Sequence, residues 1–289
     1  MDHERLSPER KEAFLRLLDD PNPGVRKAML EEFSALGGEG AGYLKSVAEG
    51  ENRVLAIHAS WYLRQLKYSD PAEEFRVFIR SLHYELETGA LLMNRTVVPD
   101  LDVGESCRLL DEIAGRCTEL MFPPMSVRQK CRVINRVLFH EYAFRGNVEN
   151  YTDPRNSFLS EVLQTRRGLP ITLSIVYILV AQRCGLTLEP VGLPGHFLVG
   201  CYEEKPAFFV DAFARGAFRS PEDLFEQLRK KKMPPKLSYL APTPVREVLC
   251  RCCRNLASHY TMAKEPKRAR LFASFVNEFE VTYHRNVSS

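Results

Sequence analysis

At 289 residues, with 45% hydrophobic and 27% charged side chains, the chain can bury two compact units and is too apolar to be wholly disordered. Its formal charge of +3 is too small to argue for a nucleic-acid partner. No apolar run reaches the about 18 residues of a membrane crossing. Residues 1–18 lack the apolar stretch of a secretory signal, so a cytoplasmic protein is expected.

Ser7-Pro8 opens a helix, Ser as N-cap and Pro in the first turn, with Phe14, Leu15, Leu17 and Leu18 as its apolar face. The run Asp19-Asp20-Pro21-Asn22-Pro23-Gly24 breaks it. A second helix is expected over about 25–36, stopped by Gly37-Gly38, and shorter ones over 41–49 and 54–66. The pieces Asp20…Val25…Phe33 and Glu49…Val54…Tyr62 recur at an offset of 29 residues. Short HEAT-type repeats would give that spacing, and a plain helical bundle explains it equally well.

Asp70-Pro71 opens a helix expected to reach about residue 87. After Val97-Val98-Pro99-Asp100, helical patterns run over 103–121 and 127–144, separated by Pro123-Pro124. In the second of these, Val127, Cys131, Ile134, Leu138 and Tyr142 share a face at spacings of three and four. Leu159, Val162 and Leu163 mark one more short helix. The segment 171–184 is apolar almost all round, which predicts a centrally buried helix ending at Gly185.

The period then changes. Segments 188–193, 196–202 and 207–213 are short and rich in β-formers, separated by Pro194-Gly195 and Glu203-Glu204-Lys205-Pro206. They read as an antiparallel sheet packed on the buried helix. Ser220-Pro221-Glu222-Asp223 restarts a helix, and helices over 244–262 and 266–283 follow. The predicted fold class is α+β, a small sheet on a central helix within a mostly helical chain.

Several chemistries are excluded. The sequence holds no G-x-x-x-x-G-K, no G-x-G-x-x-G and no G-x-S-x-G, and His140-Glu141 is followed by Phe144 where H-E-x-x-H needs a second His. The eight cysteines fall mostly within helical apolar patterns and read as reduced thiols. Cys250, Cys252 and Cys253 do not all share a helix face and have no Cys/His pair at zinc-site spacing. No metal and no cofactor are expected. The basic run Arg229-Lys230-Lys231-Lys232 with Lys236 reads as a solvated helix end before it reads as an anion site.

What remains is His196 with Asp211. A hairpin centred near residue 204 puts His196 opposite residue 212, within one position of Asp211. An Asp–imidazole bond there would fix the tautomer and raise the basicity of the ring, as a general base requires. Spacing alone favours the plainer reading, two polar residues hydrogen-bonded within a sheet.

Three spaced elements carry a resemblance: Tyr151-Thr152-Asp153-Pro154-Arg155-Asn156-Ser157, Arg166-Arg167-Gly168-Leu169-Pro170-Ile171-Thr172-Leu173, and Gly192-Leu193-Pro194-Gly195-His196-Phe197-Leu198-Val199. Over about residues 70–230 the chain resembles the SirB family of the transglutaminase-like superfamily. The resemblance implies a papain-like core and places a triad's His at His196 and its Asp at Asp211. It also implies a nucleophilic Cys at the start of the central helix, near Pro170 or Thr172. Neither is Cys. Cys184 lies 14 residues from Pro170, about 21 Å along a helix, and Cys201 points to the other face of the strand from His196.

Thr172 is a conceivable hydroxyl nucleophile, although a Thr in a first turn more commonly caps its own helix. Asn156, Ser157 and Arg167 could line a cleft, or Asn156-Ser157 could cap the helix that follows. Three parts are expected: 1–69 helical, 70–232 the transglutaminase-like core, and 233–289 a helical hairpin that weakly resembles tetratricopeptide helices. The leading expectation is a binding or regulatory protein without thiol chemistry, with a protein or peptide partner and neither nucleic acid nor membrane. The rivals are an amide or ester hydrolase using His196, Asp211 and Thr172 or water, and a helical adaptor whose core is only structural.

Overall fold

The computed structural model describes residues 6–66 and 70–287. The chain divides into two compact units after Glu74; the expected boundary at residue 69 and the first residues of the N-terminal segment lie outside the described residues. In the first unit, α1 (Pro8–Leu17) starts as its sequence predicts, with the Ser7 side chain accepting the Arg10 N–H. α2 (Pro23–Ala48) joins two expected helices into one kinked element. Gly37, at φ 55° and ψ −128°, supplies the break in a conformation that glycine adopts at low cost. α3 (Arg53–Gln65) is capped by Asn52 and returns Ala59, Tyr62 and Leu63 to a core with Phe14, Phe33 and Leu44.

The second unit opens within α4 (Pro71–Arg80), and α5 (Leu86–Arg95) follows. One helix to residue 87 was expected. Instead Leu82 turns at φ 60°, and the Glu85 carboxylate accepts the Glu87 and Thr88 N–H groups to start a second helix. α6 (Val103–Glu119) and α7 (Val127–Asn135) follow, and α7 widens into a π-helical turn, Arg136–Glu141. Two tiny strands absent from the sequence reading, β1 (Arg145–Gly146) and β2 (Arg167–Gly168), pair in parallel. They flank a 3-10 turn, Pro154–Ser157, and α8 (Leu159–Thr165).

α9 (Pro170–Arg183) is the central helix, with every residue from Pro170 to Ala181 buried. Its apolar circumference leaves no face for water, so it becomes the post around which the unit packs. Gly185 at φ 71° ends it, and the Leu186 N–H returns to the Ala181 carbonyl. The antiparallel sheet runs β3 (Glu189–Leu193), β4 (His196–Cys201), β5 (Phe208–Asp211) and β6 (Ala217–Arg219) in that order. β6 was not expected; three residues are too few to display an alternating pattern.

α10 (Pro221–Lys230) begins with a capping box between Ser220 and Asp223. Its Leu224 and Leu228 cover Val191, Leu193, Leu198 and Phe209 of the sheet. After a 3-10 turn at Leu237–Leu240, α11 (Val245–Met262) and α12 (Pro266–Val287) form a hairpin, with Tyr260 stacked on Phe272 at 5.7 Å between ring centres. α11 also packs on the Pro154–Ser157 turn and on α5, which brings its polar face to the start of α9.

Candidate functional site

The site begins with strand register. Val199 pairs with Val210 and Cys201 with Phe208, so paired positions sum one higher than the hairpin estimate from sequence. That single step matters, because side chains alternate across a sheet. The observed register puts Asp211 diagonal to His196 on the same face, whereas the estimated one would have turned it away. His196 Nε2 and Asp211 Oδ2 are 2.9 Å apart. Asp211, only 5% exposed, accepts the Ala214 N–H on Oδ1 at 3.0 Å.

Burial alone would raise the Asp211 carboxyl above its ordinary range. The His196 hydrogen bond and charge, the Ala214 N–H and the Arg219 guanidinium outweigh it and hold the group below that range. An ionised Asp211 requires a proton on Nε2. In neutral His196 the basic lone pair is therefore on Nδ1. The ring meets Phe213 edge-on at 6.4 Å, which limits its rotation.

A cavity of about 140 Å³ opens beside that ring. The start of α9 supplies Leu169, Pro170 and Ile171; the β3–β4 turn supplies Gly195, and the start of β4 supplies His196 and Phe197. Tyr151 forms a further wall, and α11 contributes Arg251 and Asn255. Larger hollows, one of about 530 Å³ beside Asp111 and Arg183, lie away from the dyad. Among the described residues, no thiol or aliphatic hydroxyl lines the cavity with His196.

The other residues singled out from sequence behave differently. Thr172 is 1% exposed, and its Oγ1 has no hydrogen-bond partner. It does not cap α9, whose N-cap Leu169 offers no side-chain oxygen, nor does it line the cavity. A buried helix start simply enclosed it. Asn156 does not cap α8 either. Its Oδ1 accepts from Asn147 at 2.8 Å, and its Nδ2 donates to the carbonyl oxygens of Asn150 and Tyr151.

Asn156 is therefore the knot that shapes the loop bearing Tyr151, and its carbonyl also accepts the Leu169 N–H. The first α8 N–H that needs a side-chain acceptor, that of Leu159, is met by Asn94 Oδ1. Ser157 Oγ is buried without a partner, and Arg167 pairs with Glu149 at 3.1 Å. None of the three reaches the cavity wall. Arg251 and Asn255 were missed. Their spacing of four marks one helix face, but no sequence signal says what that face meets.

The comparisons with known proteins agree with this architecture. The family model described as transglutaminase-like superfamily matches residues 105–254, which holds α9, the sheet, the His196–Asp211 dyad and the first half of α11. The chain belongs to the transglutaminase-like superfamily. It is 34% identical over 194 residues to a UPF0162 protein of Xylella fastidiosa strain 9a5c, covering 64% of this chain and 68% of that relative. It is 26% identical over 174 residues to a UPF0162 protein of Pseudomonas aeruginosa, covering 60% and 63%. It is also 32% identical over 127 residues to F-box only protein 21 of Homo sapiens, covering 38% of this chain and 20% of that one. No solved structure matches. Among the described residues no helix is long and apolar enough to cross a membrane.

Proposed function

We propose that this member of the transglutaminase-like superfamily, close to the SirB type, is a cytoplasmic protein that binds a protein or peptide in the His196 cleft and transfers no acyl group through a thiol. One observation carries the reading: the α9 start, where a nucleophile would face His196, lines the cavity with Pro170, and among the described residues no thiol or aliphatic hydroxyl lines it. Covalent acyl transfer needs a nucleophile within hydrogen-bond reach of its base. With no side-chain nucleophile lining the cavity beside that base, the lining favours recognition as the use of the cleft. The helices of the first 69 residues would help present a surface to another protein.

A second reading rests on the dyad itself. The 2.9 Å bond and the Nδ1 lone pair are what a general base for water needs, so hydrolysis of an amide or ester is the alternative. The enclosed Thr172 hydroxyl is no part of it. The two readings separate in one experiment, in which purified protein and its H196A variant are assayed against a panel of p-nitrophenyl esters and peptide amides. Binding predicts no turnover by either protein. Turnover by the native protein that H196A abolishes would establish the hydrolase.

A further inference from the structure

The cleft has a charge imbalance that the His196–Asp211 dyad does not explain. Arg251 projects from α11 into the cavity wall and is half-buried. Its Nη2 donates to the carbonyl oxygens of Leu193 at 3.1 Å and His196 at 2.9 Å. Those bonds hold the guanidinium across the β3–β4 turn and leave Nε and Nη1 with no protein acceptor among the described residues. No carboxylate ion-pairs with it there either. Such a cation is costly to keep half out of water, and burial accordingly lowers its affinity for the proton. Gly192 makes room for it: a Cβ there would stand 3.1 Å from Nη1.

A second cation flanks the same turn. Lys231 Nζ lies 3.9 Å from the point where a side chain on Gly195 would begin, and Gly195 lines the cavity. Lys231 belongs to the basic run noted in the sequence, and that run therefore passes beside the β3–β4 turn. Among the described residues no Asp or Glu lines the cavity, and the Asp211 carboxylate behind His196 is already engaged by that ring and the Ala214 N–H.

We propose that the cleft seats the C-terminal carboxylate of a peptide, with the Arg251 guanidinium as its anchor and Lys231 at its rim. A guanidinium with two free N–H directions matches a carboxylate better than any neutral ligand. The cavity of about 140 Å³ takes on the order of four to five water-sized groups, enough for a carboxylate and a small part of one residue. Tyr151 is shared with a neighbouring groove of about 630 Å³, bounded by the 148–154 loop, by Met262 at the end of α11 and by Glu265 beyond it. A chain whose last residue sits beside Arg251 has that groove to run into, which a free small acid would leave empty.

This inference rests on the binding reading and adds the chemistry of the ligand. Its test uses an N-acetylated tripeptide pool randomised at the last residue, the same pool as C-terminal amides, and sodium acetate, each titrated into the full chain while the His196, Phe197 and Arg251 side-chain signals are followed by NMR. The acid pool should bind at least tenfold more tightly than the amides. R251M should erase that preference, R251K should keep part of it, and K231A should weaken the acid by a few-fold at low salt only. Matching melting temperatures separate lost recognition from a loosened turn. Equal binding of acid and amide overturns the carboxylate assignment while leaving the binding reading intact. Silence from both pools overturns the assignment, and acetate as potent as the acid pool shows that the site takes free acids instead of peptides. Failure of the parent reading has a different signature, turnover of an acyl substrate.

Discussion

Replacing Asp211 by Asn changes one charge and almost no volume, and its consequences can be worked out from two bonds. The Asn oxygen would keep the Ala214 N–H and place the amide NH₂ toward His196, where Asp211 Oδ2 now stands at 2.9 Å. Nε2 must then accept instead of donate, and the imidazole proton moves to Nδ1. A hydrogen bond to a charged group contributes about 1.5–3 kcal/mol and a neutral one about 0.5–1.5, so the loss is about 1–2 kcal/mol. For a unit of roughly 200 residues that lowers the melting temperature of its transition by about 2–8 °C. The loss depends on pH. Because the folded Asp211 carboxyl titrates below its unfolded counterpart, the unfolded chain takes up a proton first as the solution is acidified. The native protein's advantage is full above the ordinary carboxylate value of about 3.9 and fades as pH drops through the lowered folded value. Thermal unfolding at pH 7 and near pH 3, with ¹⁵N NMR of His196 to read the tautomer, measures both parts. Equal melting temperatures at pH 7, or an Nε2-protonated neutral ring in D211N, would refute the reasoning.

Installing the missing nucleophile is the direct functional test: P170C places a thiol at the α9 start in the cavity shared with His196, and its pKa should fall below the free-thiol value of about 8.5. Iodoacetamide rates across pH, with the native protein as background, would read it, and an unshifted profile would count against the nucleophile position assigned here. T172V removes a buried hydroxyl that has no partner, so it should be neutral or stabilising by up to about 1 kcal/mol in denaturant melts; a loss above that would mean the hydroxyl is engaged. G216A should destabilise by about 2–4 kcal/mol, because Gly216 sits at φ 78° with Asn135 atoms 2.3 Å from where a Cβ would go. Its N–H donates to the Asp211 carbonyl at 2.8 Å, so perturbed His196 NMR signals should accompany the loss. The hydrogen bond with Cys117 draws the partly exposed Cys184 thiol below its ordinary value, so maleimide labelling followed by peptide mapping should find Cys184 modified before Cys107, whose thiol is raised by burial and Glu87.

Much of the architecture was legible from local pattern. The all-round apolar run of α9, the Gly185 stop, the three long strands and the Ser220-Pro221 helix start are short-range signals, and tertiary packing reinforced each of them. Expectations failed where a distant partner intervened. The helix predicted to reach residue 87 broke because Glu85 found backbone donors after a turn at Leu82, and Asn156 left the role of a cap to hold a loop that depends on Asn147, nine residues earlier. Residue identity by itself settled that the helix start bears Pro170 and no thiol, since that is a statement about composition at one position. Only the folded chain decided that His196 and Asp211 share a face, because a register shift of one residue inverts a strand and turn length does not specify it to that accuracy. The tertiary structure likewise decided that Arg251 and Asn255, some 55 residues along from His196, stand in the same wall as its ring. Helix periodicity says which residues travel together, and only the docking of α11 onto the Pro154–Ser157 turn says what they travel to.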